Sequence, residues 1–243
     1  MDKATGATLD RELRELLGLS IAPIAIAFVD TVPAGLSRTK STMPSPTADG
    51  RTGTVPAGCV FWNKALDGAF ATIAADHGNC SVGSYTHGFK TLMEAAQGAD
   101  VQALVGADWV SMEAAAKIPT VGKKPAAVLY GPLAAGAFEP DVVFLRLNGK
   151  QLMLVNDAWP ELRFEGKPQC HIIPLAQSTG EVAVSSGCML SRVRTGMSNN
   201  EVTCALPAAK LGELVALLKR AQAADIKVAA YAADDAKRFA PVS

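Results

Sequence analysis

Residues 141–147 read Asp-Val-Val-Phe-Leu-Arg-Leu and indicate the fold class. A run of β-branched, aromatic and aliphatic residues of this length is typical of a strand buried in a sheet. The segment that follows it, Gln151–Ala158, is predicted to be a helix. Because strand and helix segments alternate on both sides, the sequence predicts an α/β fold of the mixed α+β kind, with a layered mixed sheet and flanking helices.

The outer segments continue this alternation. Residues 9–17 place four leucines on one helical face, and Gly18 is expected to end that helix. Pro23–Val29 is a short apolar run between helix-breaking residues and is predicted to be a buried strand. Near the other end, Pro207 is predicted to start an amphipathic helix, and Lys227–Tyr231 to form a sheet edge.

Residues 31–57 are rich in Pro, Ser, Thr and Gly and contain no predicted element. A loop of this length inside a compact domain is usually mobile or a functional lid. The 30 residues before it are too few for a separate domain. We therefore expect residues 1–243 to form a single compact domain in which residues 31–57 are a long loop or lid.

Charge and hydropathy exclude several classes of protein. The 243 residues include 23 Lys plus Arg and 23 Asp plus Glu, so the broad basic field of a nucleic-acid-binding protein is missing. No run approaches the roughly 20 apolar residues of a membrane span. The first ten residues are polar, unlike a signal peptide. The sequence therefore predicts a cytoplasmic protein with five reduced cysteines, and neither nucleic acid nor a membrane as a partner.

Common catalytic motifs are absent from the sequence, so the cysteines are the first candidates for site residues. Cys59 would begin a helix, Cys80 follows a tight turn, and Cys188 follows a strand end. In such settings backbone N–H groups face the sulfur and favour the thiolate. Cys204 lies in an apolar run that is typical of a buried cysteine, while the position of Cys170 beside His171 leaves its role open. The spacing matches no short zinc or ferredoxin pattern, so inert core cysteines are the alternative.

The chain between Cys59 and Cys80 decides whether these two residues can meet. A continuous helix over residues 60–75 would hold them about 20 Å apart or more. We expect a helix from Cys59 that stops at Gly68, followed by a strand that turns back and brings the two cysteines together. Ser81–Gln97 is then predicted to be one helix.

Two histidines and an arginine are further candidate site residues. His77 and His87 lie near Cys80 in the sequence, where each could act as a fourth ligand or a proton donor. Arg192 follows Cys188, with Arg194 close by, and could hold an anionic or carboxylate substrate. The alternative is that both histidines are structural and that the arginines belong to a solvated turn.

Several motifs resemble a large bacterial and archaeal family of unknown function, sometimes labelled ArCR. They are Leu17-Gly18-Leu19 before a Pro-led strand, the Cys-led helix at residues 59–68, Cys80 with Gly83, Gly187-Cys188-Met189-Leu190-Ser191-Arg192, and the segment Asn199–Pro207. Members often have Pro where this chain has Ser81. The resemblance covers most of the chain and implies that Cys59, Cys80 and Cys188 share one site, but it supplies no reaction.

Three thiolates at one site predict a [4Fe–4S] cluster with one iron that lacks a protein thiolate, or a zinc ion with an open position. The leading hypothesis is an iron–sulfur-dependent oxidoreductase or lyase that binds a small, anionic molecule at the open iron, with an electron donor as a further partner. Two alternatives stay open. One is a metal-free enzyme with a single nucleophile, Cys59 or Cys80. The other is a non-catalytic binding or scaffold protein with buried cysteines. The Ala-rich helices also agree with a homodimer.

Overall fold

A seven-stranded mixed sheet forms the centre of the computed structural model, which describes residues 1–39, 44–46, 52–54, 58–166 and 168–239. In spatial order the strands are β4 (Phe70–Thr72), β5 (Ala127–Pro132), β1 (Ile24–Val29), β6 (Val142–Leu147), β9 (Val202–Pro207), β8 (Ala183–Ser185) and β7 (Arg163–Phe164). Neighbouring strands are antiparallel except for β7 and β8, which are parallel. The two segments predicted to be strands at residues 23–29 and 141–147 are therefore the centre of the sheet.

Helices cover both faces of this sheet. They are α1 (Lys3–Leu17), α2 (Gly58–Lys64), α3 (Ser81–Thr86), α4 (Leu92–Ala96), α5 (Ala99–Gly106), α6 (Met112–Ala115), α7 (Gly149–Ala158), α8 (Ile172–Pro174), α9 (Met189–Thr195) and α10 (Leu211–Ala236). Single 3-10 turns occupy Ala74–His77, Leu133–Ala135, Gln169–His171 and Ala208–Lys210, and a π turn occupies Leu175–Thr179. Within the described residues, none of these helices combines the length and the apolar character that a membrane span requires.

The sheet is buried on both faces, which explains the continuous apolar run that marks its central strand. Val142 and Phe144 of β6 pack into one core with residues of α2 and α8. Val143 and Leu145 point to the opposite face, where a second core includes residues of α1, α7 and α10. Successive side chains of a strand alternate between faces, so a strand covered on both sides has no polar face. The predicted layered α/β architecture is confirmed.

The predicted turn between Cys59 and Cys80 is also confirmed. Helix α2 ends at Lys64, and β4 then pairs with β5 at the edge of the sheet. Ser81–Gln97 is not one helix, however. It divides into α3 and α4, and between them Gly88 has a φ of +78°, which lies in the left-handed region that favours glycine.

Two predictions near the C-terminal end need correction. Pro207 is the last residue of strand β9 and the N-cap of the 3-10 turn Ala208–Lys210, which runs directly into α10 at Leu211. A proline is tolerated at a strand end because it need not donate to the ladder there. Lys227–Tyr231 lies inside α10 and forms no sheet edge, since this Ala-rich stretch continues the helix.

The loop predicted at residues 31–57 contains more structure than expected. Its described part includes a two-stranded antiparallel ribbon of β2 (Pro44–Pro46) and β3 (Thr52–Thr54). Before the ribbon, the backbone N–H of Thr39 donates to the carbonyl of Ala71 at 2.9 Å, so this segment runs beside strand β4. The lid prediction also concerns residues 40–43, 47–51 and 55–57, which lie outside the described residues.

Candidate thiol site

Four of the five cysteines line one small cavity on the α2 side of the sheet. Cys59 is in the first turn of α2, Cys80 immediately precedes α3, and Cys188 immediately precedes α9. Together with Cys170 they surround a cavity of about 30 Å³. Cys204 is on β9 in the core of the opposite face. The structure therefore brings together the three cysteines that the sequence selected, and it adds a fourth.

Local backbone geometry holds the Cys80 thiol toward this cavity. Cys80 caps the N-terminus of α3, and its Sγ accepts a hydrogen bond from the backbone N–H of Gly83 at 3.4 Å. A Cβ at residue 83 would lie 3.3 Å from that sulfur and would crowd it. The next residue, Ser81, donates its backbone N–H to Asp100 of α5 at 2.8 Å. A small residue at position 83 and the contact with α5 thus fix where this sulfur points.

Cys188 is presented by a turn that needs glycine before it. Gly187 has a φ of +101°, in the left-handed region that other residues rarely adopt. A Cβ there would also lie 3.0 Å from Met197 and 3.1 Å from the Arg192 guanidinium. The Gly-Cys pair in the sequence therefore has a steric reason, since a side chain at 187 would displace the turn that carries the Cys188 thiol.

Helix α2, which carries Cys59, is attached to the sheet by a partly buried polar group. Arg146 of β6 forms an ion pair with Glu201, and both side chains are less than 15 % exposed. The same guanidinium donates to the side-chain oxygen of Asn63 on α2 at 2.7 Å. Because charge-assisted bonds have strict geometry, this group fixes the helix relative to β6. The position of Cys59 follows from that attachment.

His87 is the one predicted histidine that lines the cavity. Its Nδ1 lies 2.8 Å from the carbonyl of Gly83, which can only accept, so Nδ1 carries the proton. Its buried Nε2 has no hydrogen-bond partner among the described atoms. Burial lowers the pKa of His87 to about 4, which keeps the ring neutral at pH 7. The ring therefore offers a lone pair on Nε2 near Gly58, the residue before Cys59.

The other two predicted site residues, His77 and Arg192, do not line the small cavity. His77 Nε2 is 2.8 Å from Thr72 Oγ1, and its ring is packed against His87 with 5.6 Å between ring centroids. The Arg192 guanidinium donates to backbone carbonyls of Ser186, Ser198 and Glu201, and so holds the chain around α9. Arg194, the second arginine after Cys188, lines the small cavity.

Burial controls the ionisation of these thiols. It raises the pKa of Cys59 to about 12 and raises the pKa of Cys80 and of Cys188 above the ordinary value. The positive charge of Arg194 opposes this rise at all three. Without a further cation, each thiol is neutral at pH 7, and a neutral thiol is a poor nucleophile.

A second, larger cavity adjoins the small one. It measures about 620 Å³, and it shares Cys80, Cys170, Cys188, Pro168 and Leu190 with the lining of the small cavity. Most of its other walls come from residues 92–118, which include α4, α5 and α6. Binding cavities for small molecules typically measure about 300–1,000 Å³. Cys80, Cys170 and Cys188 therefore lie between a space of about 30 Å³ and a space large enough for a ligand.

The thiols surround the small cavity and do not meet at one point. Across the part of the chain that the structure describes, no group of three or more His, Cys, Asp or Glu side chains forms a ready site for a metal ion. The four thiols could bind a group that contacts several of them at once. Alternatively, they are buried thiols without a ligand.

Sequence reasoning left two features of the site undecided. Cys170 precedes an apolar run, and its neighbour His171 was the one local signal that it might belong to a site. The walls of the large cavity come from residues 92–118, where no motif was found. Their contribution depends on how α4, α5 and α6 pack, which no local pattern reports.

Comparison with known proteins yields a family but no function. The model of the family described as Uncharacterised ArCR (DUF169) matches residues 12–216, well over half of the chain. No curated protein and no solved structure matches the chain significantly.

Proposed function

The chain belongs to the uncharacterised ArCR family, and we propose that it binds an iron–sulfur cluster of the [4Fe–4S] type through Cys59, Cys80 and Cys188. The observation that carries this proposal is the enclosure of one cavity by thiols that begin three separate helices. At that site the protein would act on a small molecule as an oxidoreductase or a lyase. The redox case also requires an electron donor.

The arrangement of the thiols favours a cluster over a single ion. A zinc ion needs each sulfur at about 2.3 Å, which places the sulfurs within about 4 Å of one another. The described thiols surround a space and form no such group. A cluster presents separate iron atoms to separate thiolates. When bound, it would supply an electron relay or a Lewis-acidic iron.

The cavity of about 30 Å³ has room for about one water molecule, so its lining would have to move apart to admit a cluster, but the polar groups around it suit one. Arg194 supplies a positive charge that favours the thiolate forms of the three cysteines. The backbone N–H of Gly83 donates to Cys80 Sγ, as N–H groups do to cluster-bound sulfurs. The Nε2 of His87 is a candidate for a fourth ligand or a proton acceptor, because His87 lines the cavity and this atom is buried and lacks a partner among the described atoms.

Purification under anaerobic conditions, with iron, sulfide and zinc analysis of one sample, tests the proposal. We expect a brown protein with iron and sulfide in equal amounts, about four of each per chain. Cys59→Ala, Cys80→Ala and Cys188→Ala should each lose most of the iron. Cys204→Ala is the matched control, since Cys204 lies in the core of the opposite face, and it should retain the iron.

Three results would overturn the cluster. Zinc without sulfide would assign a single-ion site to the same thiols. A metal-free protein that also resists reconstitution would support buried thiols or a lone nucleophile, which rates of alkylation then separate. Equal iron in all four variants would place the metal elsewhere.

A further inference from the structure

The walls of the large cavity are mainly apolar. Leu92 and Ala95 of α4, Val101 and Leu104 of α5, and Ala115 of α6 all line it. Short helices connected by turns hold these side chains around a space of about 620 Å³. An apolar wall of this extent is stabilised when an apolar ligand removes it from water.

The charged groups of this cavity do not favour an anion. Among the residues that the structure describes, the two cations that line it both have carboxylate partners: Lys117 lies 2.9 Å from Glu113, and Arg163 pairs with Glu165 and Glu181. Asp108 adds a negative charge to the lining. An anionic ligand would compete with these carboxylates for the two cations and would approach the negative charge of Asp108, whereas a neutral ligand meets neither cost.

A polar group stands at the end of the cavity near the thiols. His171 lines the cavity beside Cys170, is 7 % exposed, and has an Nε2 atom without a hydrogen-bond partner among the described atoms. Buried polar atoms normally have a partner. A hydroxyl or carbonyl group of a ligand would provide one.

We infer that the large cavity binds a neutral, largely apolar small molecule with one hydroxyl or carbonyl group, oriented with that group toward His171 and Cys170. This replaces the anionic substrate expected from Arg192. The inference rests on the proposed function for the chemistry at the thiols, but the binding itself depends on the cavity walls alone.

Displacement of the neutral fluorescent probe N-phenyl-1-naphthylamine tests this inference. The competitors are decan-1-ol, decanoate and decylammonium, which share one chain and differ in the charge of the head group. We expect the probe to bind, and decan-1-ol to displace it at a concentration at least 10-fold lower than decanoate. Ala96→Phe fills the cavity and should weaken probe binding at least 10-fold. Ala103→Phe is the control, because Ala103 is exposed on α5 and does not line the cavity.

Further measurements separate this inference from the proposed cluster. Cys59 lines the small cavity and not the large one, so Cys59→Ala should lose iron and still bind the probe. A protein that contains iron and binds no probe would overturn the inference and leave the cluster intact. Tighter binding of decanoate than of decan-1-ol would overturn the neutral ligand, and equal probe binding by both Phe variants would place the probe outside this cavity.

Discussion

At the scale of single residues, His77 shows how burial makes a titratable group sensitive to pH. Its ring is 1 % exposed and lies 5.0 Å from the Phe61 ring and 4.9 Å from the Phe89 ring. Burial, and secondly repulsion from the His87 ring when that ring is protonated, lower the pKa of His77 well below its usual value. In the unfolded chain the pKa is about 6.5. The neutral ring therefore stabilises the fold above pH 6.5, and this contribution is lost as the pH falls toward the folded pKa.

Replacing this ring should weaken the acid sensitivity of the fold. In His77→Gln, the free energy of unfolding should decrease less between pH 7.5 and pH 5 than in the parent chain. The difference arises because one histidine contributes up to about 1.4 kcal/mol per pH unit in this range. Chemical denaturation of both proteins at each pH measures it, with His87 left in both. Parallel pH profiles would show that His77 is not a source of the sensitivity.

The residue scale is also where the sequence was most informative about the site. Cys59, Cys80 and Cys188 share local settings that can be read directly: a helix start, a tight turn and a Gly-Cys pair. Cys170 lacks such a setting, because its place beside the cavity depends on how the Gln169–His171 turn packs against α3. Packing between distant segments leaves no local pattern in a single sequence.

At the scale of elements, the contact between α3 and the start of α5 fixes the helix that follows Cys80. Gly98 immediately precedes α5, and a Cβ there would lie 2.0 Å from Ser81 Oγ and 2.7 Å from Asp100 Oδ1. These distances are far shorter than real contacts. The two helices can therefore approach each other only because residue 98 has no side chain.

Gly98→Ala should destabilise the protein by about 1–3 kcal/mol, as overpacking of a close contact does. Iron content should fall as well, since α3 would shift with Cys80 at its start. Gly106→Ala is the matched control: it lies in the last turn of α5 with nothing within 4 Å of the added Cβ, and it should be neutral or stabilise by up to about 1 kcal/mol. Thermal denaturation measures both. Equal stability of the two variants would show that this contact does not position α3.

Elements with a strong local pattern were predictable, and those defined by pairing were not. The four leucines of α1 and the apolar runs of β1 and β6 are local patterns from which a helix and two strands can be predicted. Strand β9 was missed because its strand character comes from pairing with β6, where Cys204 lies opposite Leu145. The same holds for the β2–β3 ribbon, whose residues suggested only a loop.

At the scale of the whole molecule, only the first half of the last helix packs against the core. Leu211, Leu214, Val215 and Leu218 of α10 are buried in the core of the α1 side. From residue 226 to the end of the helix almost every residue is exposed, including Ile226, Val228 and Tyr231. The stability that α10 contributes should therefore come from its first half.

A chain that ends after Ile226 tests this division. We expect its free energy of unfolding to lie within about 1 kcal/mol of the full chain, because the removed helical residues bury little apolar surface. Leu218→Ala in the full chain should cost about 2–5 kcal/mol, as for other buried leucines. Urea denaturation compares the three proteins. A truncated chain as unstable as Leu218→Ala would mean that the distal half contributes as much as the core.

The two faces of the sheet also differ in how they could be used to immobilise the protein. Helices α1 and α10, which carry the two ends of the fold, both pack into the core on one face, while Cys59 and Cys170 belong to the other. A tether to an electrode, a bead or a fused reporter, added before α1, would therefore attach to the face of the sheet opposite the thiols. The thiol-lined side would remain turned toward the solution.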